Sequence, residues 1–87
     1  MNQTKPKLIN RLKLIEGQVR GLQRMLVDDV YCIDIITQTS AVKQALCAVE
    51  DLLMENHLSG CILKQIKSGQ EKKARAEILK VYKLKRK

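Results

Sequence analysis

Apolar residues recur at Leu8, Leu12, Ile15, Val19, Leu22 and Leu26, spaced alternately by four and three. That rhythm keeps one stripe on one side of an α-helix, and over almost three heptads it is the seam of a coiled coil. It predicts a helix from about Lys5 to Leu26. Thr4 is placed to cap it, and Pro6 falls in the first turn, where a missing N–H loses no hydrogen bond. Asp28-Asp29 marks the break. A second stripe, Ile36, Thr39, Val42, Leu46, Val49 and Leu53, begins near Tyr31 or Cys32, and nothing stops it before Asn56. Gly60 weakens a helix by about 1 kcal/mol without forbidding it. Ile62, Leu63 and Ile66 carry the pattern on, so the second helix is expected to reach Ile66. Ser68-Gly-Gln-Glu71 has the form of a capping box and predicts a third helix from about Gly69 to Leu84, with the KLKRK tail frayed.

The expected architecture is therefore all-α, a single domain over residues 1–87 with two long antiparallel helices and one short. No strand alternation, linker, low-complexity tract or long repeat interrupts it. Three such helices enclose little core by themselves. Their apolar seams need a partner, which points to an obligate dimer or a higher oligomer.

Composition narrows the function. The chain has 87 residues, no Phe or Trp, and only Tyr31 and Tyr82 as aromatics, so its core must be aliphatic. A net charge of +8 calls for a polyanionic partner, with nucleic acid ahead of an anionic membrane surface. No apolar run approaches the roughly 20 residues of a membrane span, and MNQTKPK lacks the apolar core of a signal peptide. A cytoplasmic protein without a membrane segment is the expectation. An odd number of cysteines, three, argues against a disulfide framework and for metal or redox chemistry. No constellation of acids, bases and nucleophiles points to an enzyme. Glu16, Glu50 and Asp51 read as ordinary surface charges.

The one histidine, His57, stands four positions before Cys61, an i, i+4 pair on a helix. Cys32 precedes His57 by 25 residues, about 37 Å along one helix, too far to share an ion within a chain. At ~100° per residue, however, that separation is about seven turns less 20°, so all three side chains project from nearly the same side. Two copies of the helix packed antiparallel would bring Cys32 of one chain to His57 and Cys61 of the other, twice per dimer. Two thiolates and an imidazole are a soft trigonal set suited to Cu(I). Zinc, which prefers four ligands or three and a water, ranks second. Plain readings compete: a lone histidine is commonly a surface residue, and cysteines are often small buried hydrophobes. Cys47 projects ~60–80° away from the other three and reads as a packing or boundary residue.

Three stretches, RLKLIEGQVRGLQRML (11–26), YCIDIITQTSAVKQAL (31–46) and NHLSGC (56–61), resemble the copper-sensitive operon repressor (CsoR) family of helical bacterial regulators. With Glu77 the resemblance extends over nearly the whole chain. Cys32, His57 and Cys61 match its copper(I) branch. A nickel/cobalt sensor would place histidine at position 61 and another near the N-terminus. The persulfide branch keeps both cysteines but not the histidine, and the formaldehyde branch lacks a cysteine at position 61. The resemblance implies a dimeric antiparallel four-helix bundle assembling into a tetramer, a dimer of dimers. It also implies supporting roles for Tyr31 and Glu77 beside the metal ligands, whereas Glu77 read alone is a solvated partner for Lys73 or Lys80.

By the same resemblance the partner is double-stranded operator DNA, bound by the metal-free repressor and released when Cu(I) is sensed. Copper-resistance genes would then be derepressed. Lys13, Arg20 and Arg24 lie roughly opposite the first seam, with Lys7, Arg11 and Gln18 along one edge. Arg11, Lys13, Gln18, Arg20 and Lys43 are the expected DNA contacts, mainly to phosphate, with Arg11 or Gln18 able to reach base edges. Some family members carry a basic residue where Ala48 stands. A repressor of the same fold that senses persulfide or thiol redox state through Cys32 and Cys61 is the nearest rival. A basic protein that coats nucleic acid without sensing anything is a more distant one.

Overall fold

The computed structural model describes residues 3–86, and among them every regular element is helical. Helix α1 spans Thr4–Val27 and α2 spans Cys32–Asn56. The chain then passes through a π-helical turn, His57–Cys61, into α3, Ile62–Lys67, and after a short connection into α4, Glu71–Lys85. The three predicted helices are thus present within one to two residues at most ends. The second is a composite of α2, the π turn and α3.

Helix ends are where expectation and structure part. Thr4 lies inside α1 rather than before it. Gln3 occupies the cap position in a helical conformation and makes no side-chain capping bond. Ser68 does not open α4 either. Its hydroxyl donates to the Gln65 carbonyl at 3.1 Å, and α4 begins after Gln70 without a side-chain cap. The reason is Gly69. At φ +82° it closes α3, with Gly69 N–H bonded to Ile66 O (3.1 Å) and Gln70 N–H to Gln65 O (2.7 Å). That pair of bonds is a Schellman ending, which favours glycine in the left-handed position.

Asp29 (φ 52°) does the same for α1, with Asp29 N–H to Leu26 O at 3.3 Å and Val30 N–H to Met25 O at 3.0 Å. An aspartate tolerates this conformation better than most side chains. At the other extremity α4 stays helical through Lys85, so the tail is more ordered than its composition implies. Lys87, the last residue of that tail, lies outside the described residues.

Two compact units make up the chain, one ending at Met54 and the other beginning at Glu55. In the first, α1 and α2 are joined by a four-residue turn and share a core of Leu8, Ile15, Val42 and Val49, with Leu22, Ala45 and Leu52 packed against it. Only alternate members of the α1 stripe are used. Leu8, Ile15 and Leu22 turn inward, while Leu12, Val19 and Leu26 stay exposed, Leu26 at 64%. Residues four apart differ by about 40° around a helix, so these are two flanks of one apolar arc. On α2 the inward line is Val42, Ala45, Val49 and Leu52. Ile36, Leu46 and Leu53, expected in the seam, are exposed. Thr39 is exposed too, its hydroxyl bonded back to Ile35 O at 2.8 Å.

In the second unit α3 packs on α4, and Ala74, 3% exposed, is the most deeply placed side chain. Glu77, Ile78 and Val81 are half-buried along the same side of α4. Ile62 is half-buried, whereas Leu63 and Ile66, expected to carry the second stripe on, are exposed beyond the π turn. A widened turn takes up extra chain and shifts the helical phase of the residues beyond it.

Candidate metal centre and its surroundings

The π turn is bounded by the two residues that the sequence singles out. His57 is its first position and Cys61 its last, and the amide of Ile62 bonds to the His57 carbonyl across it. Ser59 donates its hydroxyl to Glu55 O at 2.8 Å, satisfying a polar group that would otherwise compete with the helix, and Gly60 adds no side chain. Because the widened turn needs more than four residues to go round once, residues four apart stand more nearly above one another than in an α-helix. His57 and Cys61 are therefore held on one side, the imidazole half-buried and the thiol exposed. Single π turns within α-helices are frequent at functional sites.

Cys32 is the first residue of α2, with an exposed free thiol. Tyr31, immediately before it, caps the helix through its backbone: its carbonyl accepts from the amides of Asp34 (3.0 Å) and Ile35 (3.3 Å). The phenol itself is 68% exposed. Among the described residues of one chain, no three His, Cys, Asp or Glu side chains gather into a group able to hold a metal ion. The donors themselves suit a soft ion: two free, accessible thiols and a neighbouring imidazole. Cys47, expected to pack or sit at a boundary, is exposed in an open groove along α2 lined by Ser40, Lys43, Gln44, Ala48 and Asp51.

Glu77 has a partner the sequence does not disclose. Its carboxylate accepts a hydrogen bond from Gln65 Nε2 at 3.2 Å, a part-buried link between α3 and α4. The amide is oriented by charge, since its oxygen would be repelled by the carboxylate. Gln65 Oε1 is left buried without a hydrogen-bond partner. A buried acceptor in that position costs about 1–3 kcal/mol, which the charge-assisted bond on the other side of the amide offsets.

Every DNA candidate is solvent-facing: Arg11, Lys13, Gln18 and Arg20 on α1, and Lys43 on α2 beside Cys47. Arg20 Nη2 lies 3.0 Å from Glu16 Oε1, and both side chains are 70% exposed. An exposed i, i+4 pair of this kind contributes about 0.3–0.5 kcal/mol and is easily exchanged for a phosphate.

An all-helical chain that presents thiols and an imidazole in this way has the character of a metal-responsive regulator, and comparison with known proteins places it. The family model for the metal-sensitive transcriptional repressor matches residues 4–84. The copper-sensing transcriptional repressor CsoR of Bacillus subtilis (strain 168) is 48% identical over 79 residues, covering 91% of this chain and 78% of that protein. The copper-sensing transcriptional repressor RicR of Mycobacterium tuberculosis is 46% identical over 67 residues, covering 77% and 70%. In fold, the copper-sensing repressor CsoR of Geobacillus thermodenitrificans NG80-2, crystallised with Cu(I), superposes with a TM-score of 0.91 at 40% identity, covering all of this chain and 91% of that one. The nickel-responsive regulator InrS also matches, at a TM-score of 0.75 and 32% identity over 90% of this chain and 88% of its own. The chain belongs to the metal-sensitive transcriptional repressor family. It is a regulator that acts on DNA, not an enzyme, and no described helix is long and apolar enough to cross a membrane.

Proposed function

We propose that this protein is a Cu(I)-responsive repressor: its metal-free assembly holds operator DNA, and Cu(I) releases it. The observation that carries the reading is the pairing of His57 and Cys61 at the two ends of one π turn, with the Cys32 thiol exposed at the start of α2. The ion would be held by Cys32 of one chain with His57 and Cys61 of a second. Tyr31 and Glu77 would orient the donors and relay their arrangement to the last helix. The exposed flanks of α1 and α2 supply apolar surface for a second chain, in keeping with a dimer that pairs again into a tetramer. Arg11, Lys13, Gln18, Arg20 and Lys43 would meet the duplex. The regulated genes would serve copper export or buffering in the cytoplasm.

Release by metal requires reciprocity: if Cu(I) weakens DNA binding by some factor, DNA weakens Cu(I) binding by the same factor. The test is an anaerobic Cu(I) titration of the reduced protein on a duplex from its own promoter region, with a competing chelator. Release is expected at one Cu(I) per chain, with His57→Ala binding Cu(I) far more weakly. Equal, weak binding by both proteins would rule out copper sensing and favour a thiol sensor using Cys32 and Cys61.

A further inference from the structure

The positive charge of the chain is not spread along it. Residues 55–87 hold ten Lys and Arg against three Asp and Glu, whereas residues 1–54 hold seven against six. Nearly all of the net +8 therefore belongs to the unit that carries His57 and Cys61, and half of it, a net +4, is on α4. Ala74, Glu77, Ile78 and Val81 lie on the less exposed side of that helix. Lys72, Arg75, Lys83 and Arg86 are exposed and fall on the opposite arc at ~100° per residue.

We propose that this outward arc of α4 is a phosphate-binding surface for duplex DNA, additional to the contacts on α1 and α2. It rests on the reading of the protein as a DNA-binding repressor and adds residues to it.

Helix stability does not account for these cations. Lys83 and Lys85 in the last turn suit the helix dipole, but Lys72 and Lys73 follow Glu71 in the first turn, where the dipole disfavours positive charge. Lys72 with Arg75, and Lys83 with Arg86, are like charges three apart, which repel along a helix. A polyanion running past relieves both penalties. The Arg86 guanidinium lies 5.7 Å from the Tyr82 ring centroid, which holds it against the end of the helix. A membrane is the poorer fit. Ile78 and Val81 are on the half-buried side of α4, so the outward arc offers lipid only Leu79 and part of Tyr82 among its cations. Since the arc shares a unit with two metal ligands, whatever displaces that unit displaces the charge.

The experiment compares the full-length protein with a Lys72→Gln/Arg75→Gln/Lys83→Gln variant, on operator and on random duplex, across a salt series. Each lost phosphate contact lowers the slope of log K against log salt by about 0.9, and at ~0.15 M salt costs about fivefold in affinity. The variant should therefore lose about a hundredfold on both duplexes while keeping their ratio, and its Cu(I) affinity without DNA should not change. A Lys72→Arg/Lys83→Arg variant should keep the wild-type slope, which separates charge from folding. An unchanged slope in the Gln variant would overturn the proposal. So would unchanged DNA binding with lost adsorption to phosphatidylserine vesicles. Wild-type protein that binds duplex but ignores Cu(I) would sink the copper reading alone, and the salt slope would still decide this one.

Discussion

Up to Met54 the chain buries Leu8, Ile15, Val42 and Val49 between two long helices, and its acidic and basic side chains nearly cancel. From Glu55 onward Ala74 is the one buried side chain among the described residues, and basic residues outnumber acidic ones by ten to three. The first unit is built on shape and the second on chemistry. In the first, the apolar arc is wider than one helix partner needs, and its outer flank, Leu12, Val19 and Leu26, remains exposed. In the second, a widened helical turn, a histidine, a thiol and a buried amide–carboxylate link are held by very little core. The candidate donors His57 and Cys61 thus lie in the unit with the smaller core, whereas Cys32 belongs to the better-packed first unit. A region that must respond to a ligand is expected at the weakly packed end of a structure.

The largest effect should come from the shape-built unit. Ile15→Ala removes a side chain that is 7% exposed and should cost about 2–5 kcal/mol in chemical denaturation. Leu12→Glu, one turn earlier on the outer flank, should leave the helical content intact while shifting sedimentation toward monomer. A similar loss of folding from both substitutions would erase the distinction between the two flanks. A smaller effect is expected in the other unit. Gln65→Leu removes the bond to Glu77 but also the partnerless Oε1, so stability should change by only about 1 kcal/mol. Its signature should lie in function, as weaker coupling between Cu(I) and DNA with Cu(I) affinity changed by no more than about tenfold. Wild-type coupling in Gln65→Leu would reduce that link to a local fastening.

The alternation of apolar residues by three and four is enough to read the helices and their order, because packing a helix against anything requires that rhythm. It cannot say which flank faces the chain's own neighbour. Leu8 and Leu12 occupy the two apolar positions of the same seam, and only the partner helix decides which of them turns inward. The helix ends mislead where one residue serves two roles: Ser68 and Gly69 match a start signal, yet the left-handed glycine makes them a stop. Gly60 reads as a tolerated weakness, while the structure places it in a π turn whose hydrogen bonds no residue pattern specifies. The candidate donors stand out in the sequence because Cys and His are scarce in this chain. The Gln65–Glu77 bond is not, since a glutamine and a glutamate twelve residues apart meet only once α4 folds back on α3.

The central claim is that each metal site is shared between two chains. Co-expressing a Cys32→Ala chain with a His57→Ala/Cys61→Ala chain tests it most directly. Each variant alone leaves every site incomplete, whereas a mixed dimer contains one complete set, Cys32 from the second chain with His57 and Cys61 from the first. The account predicts tight Cu(I) binding by purified mixed dimers at half the wild-type stoichiometry, and none by either parent. Mixed dimers that bind no better than their parents would contradict it.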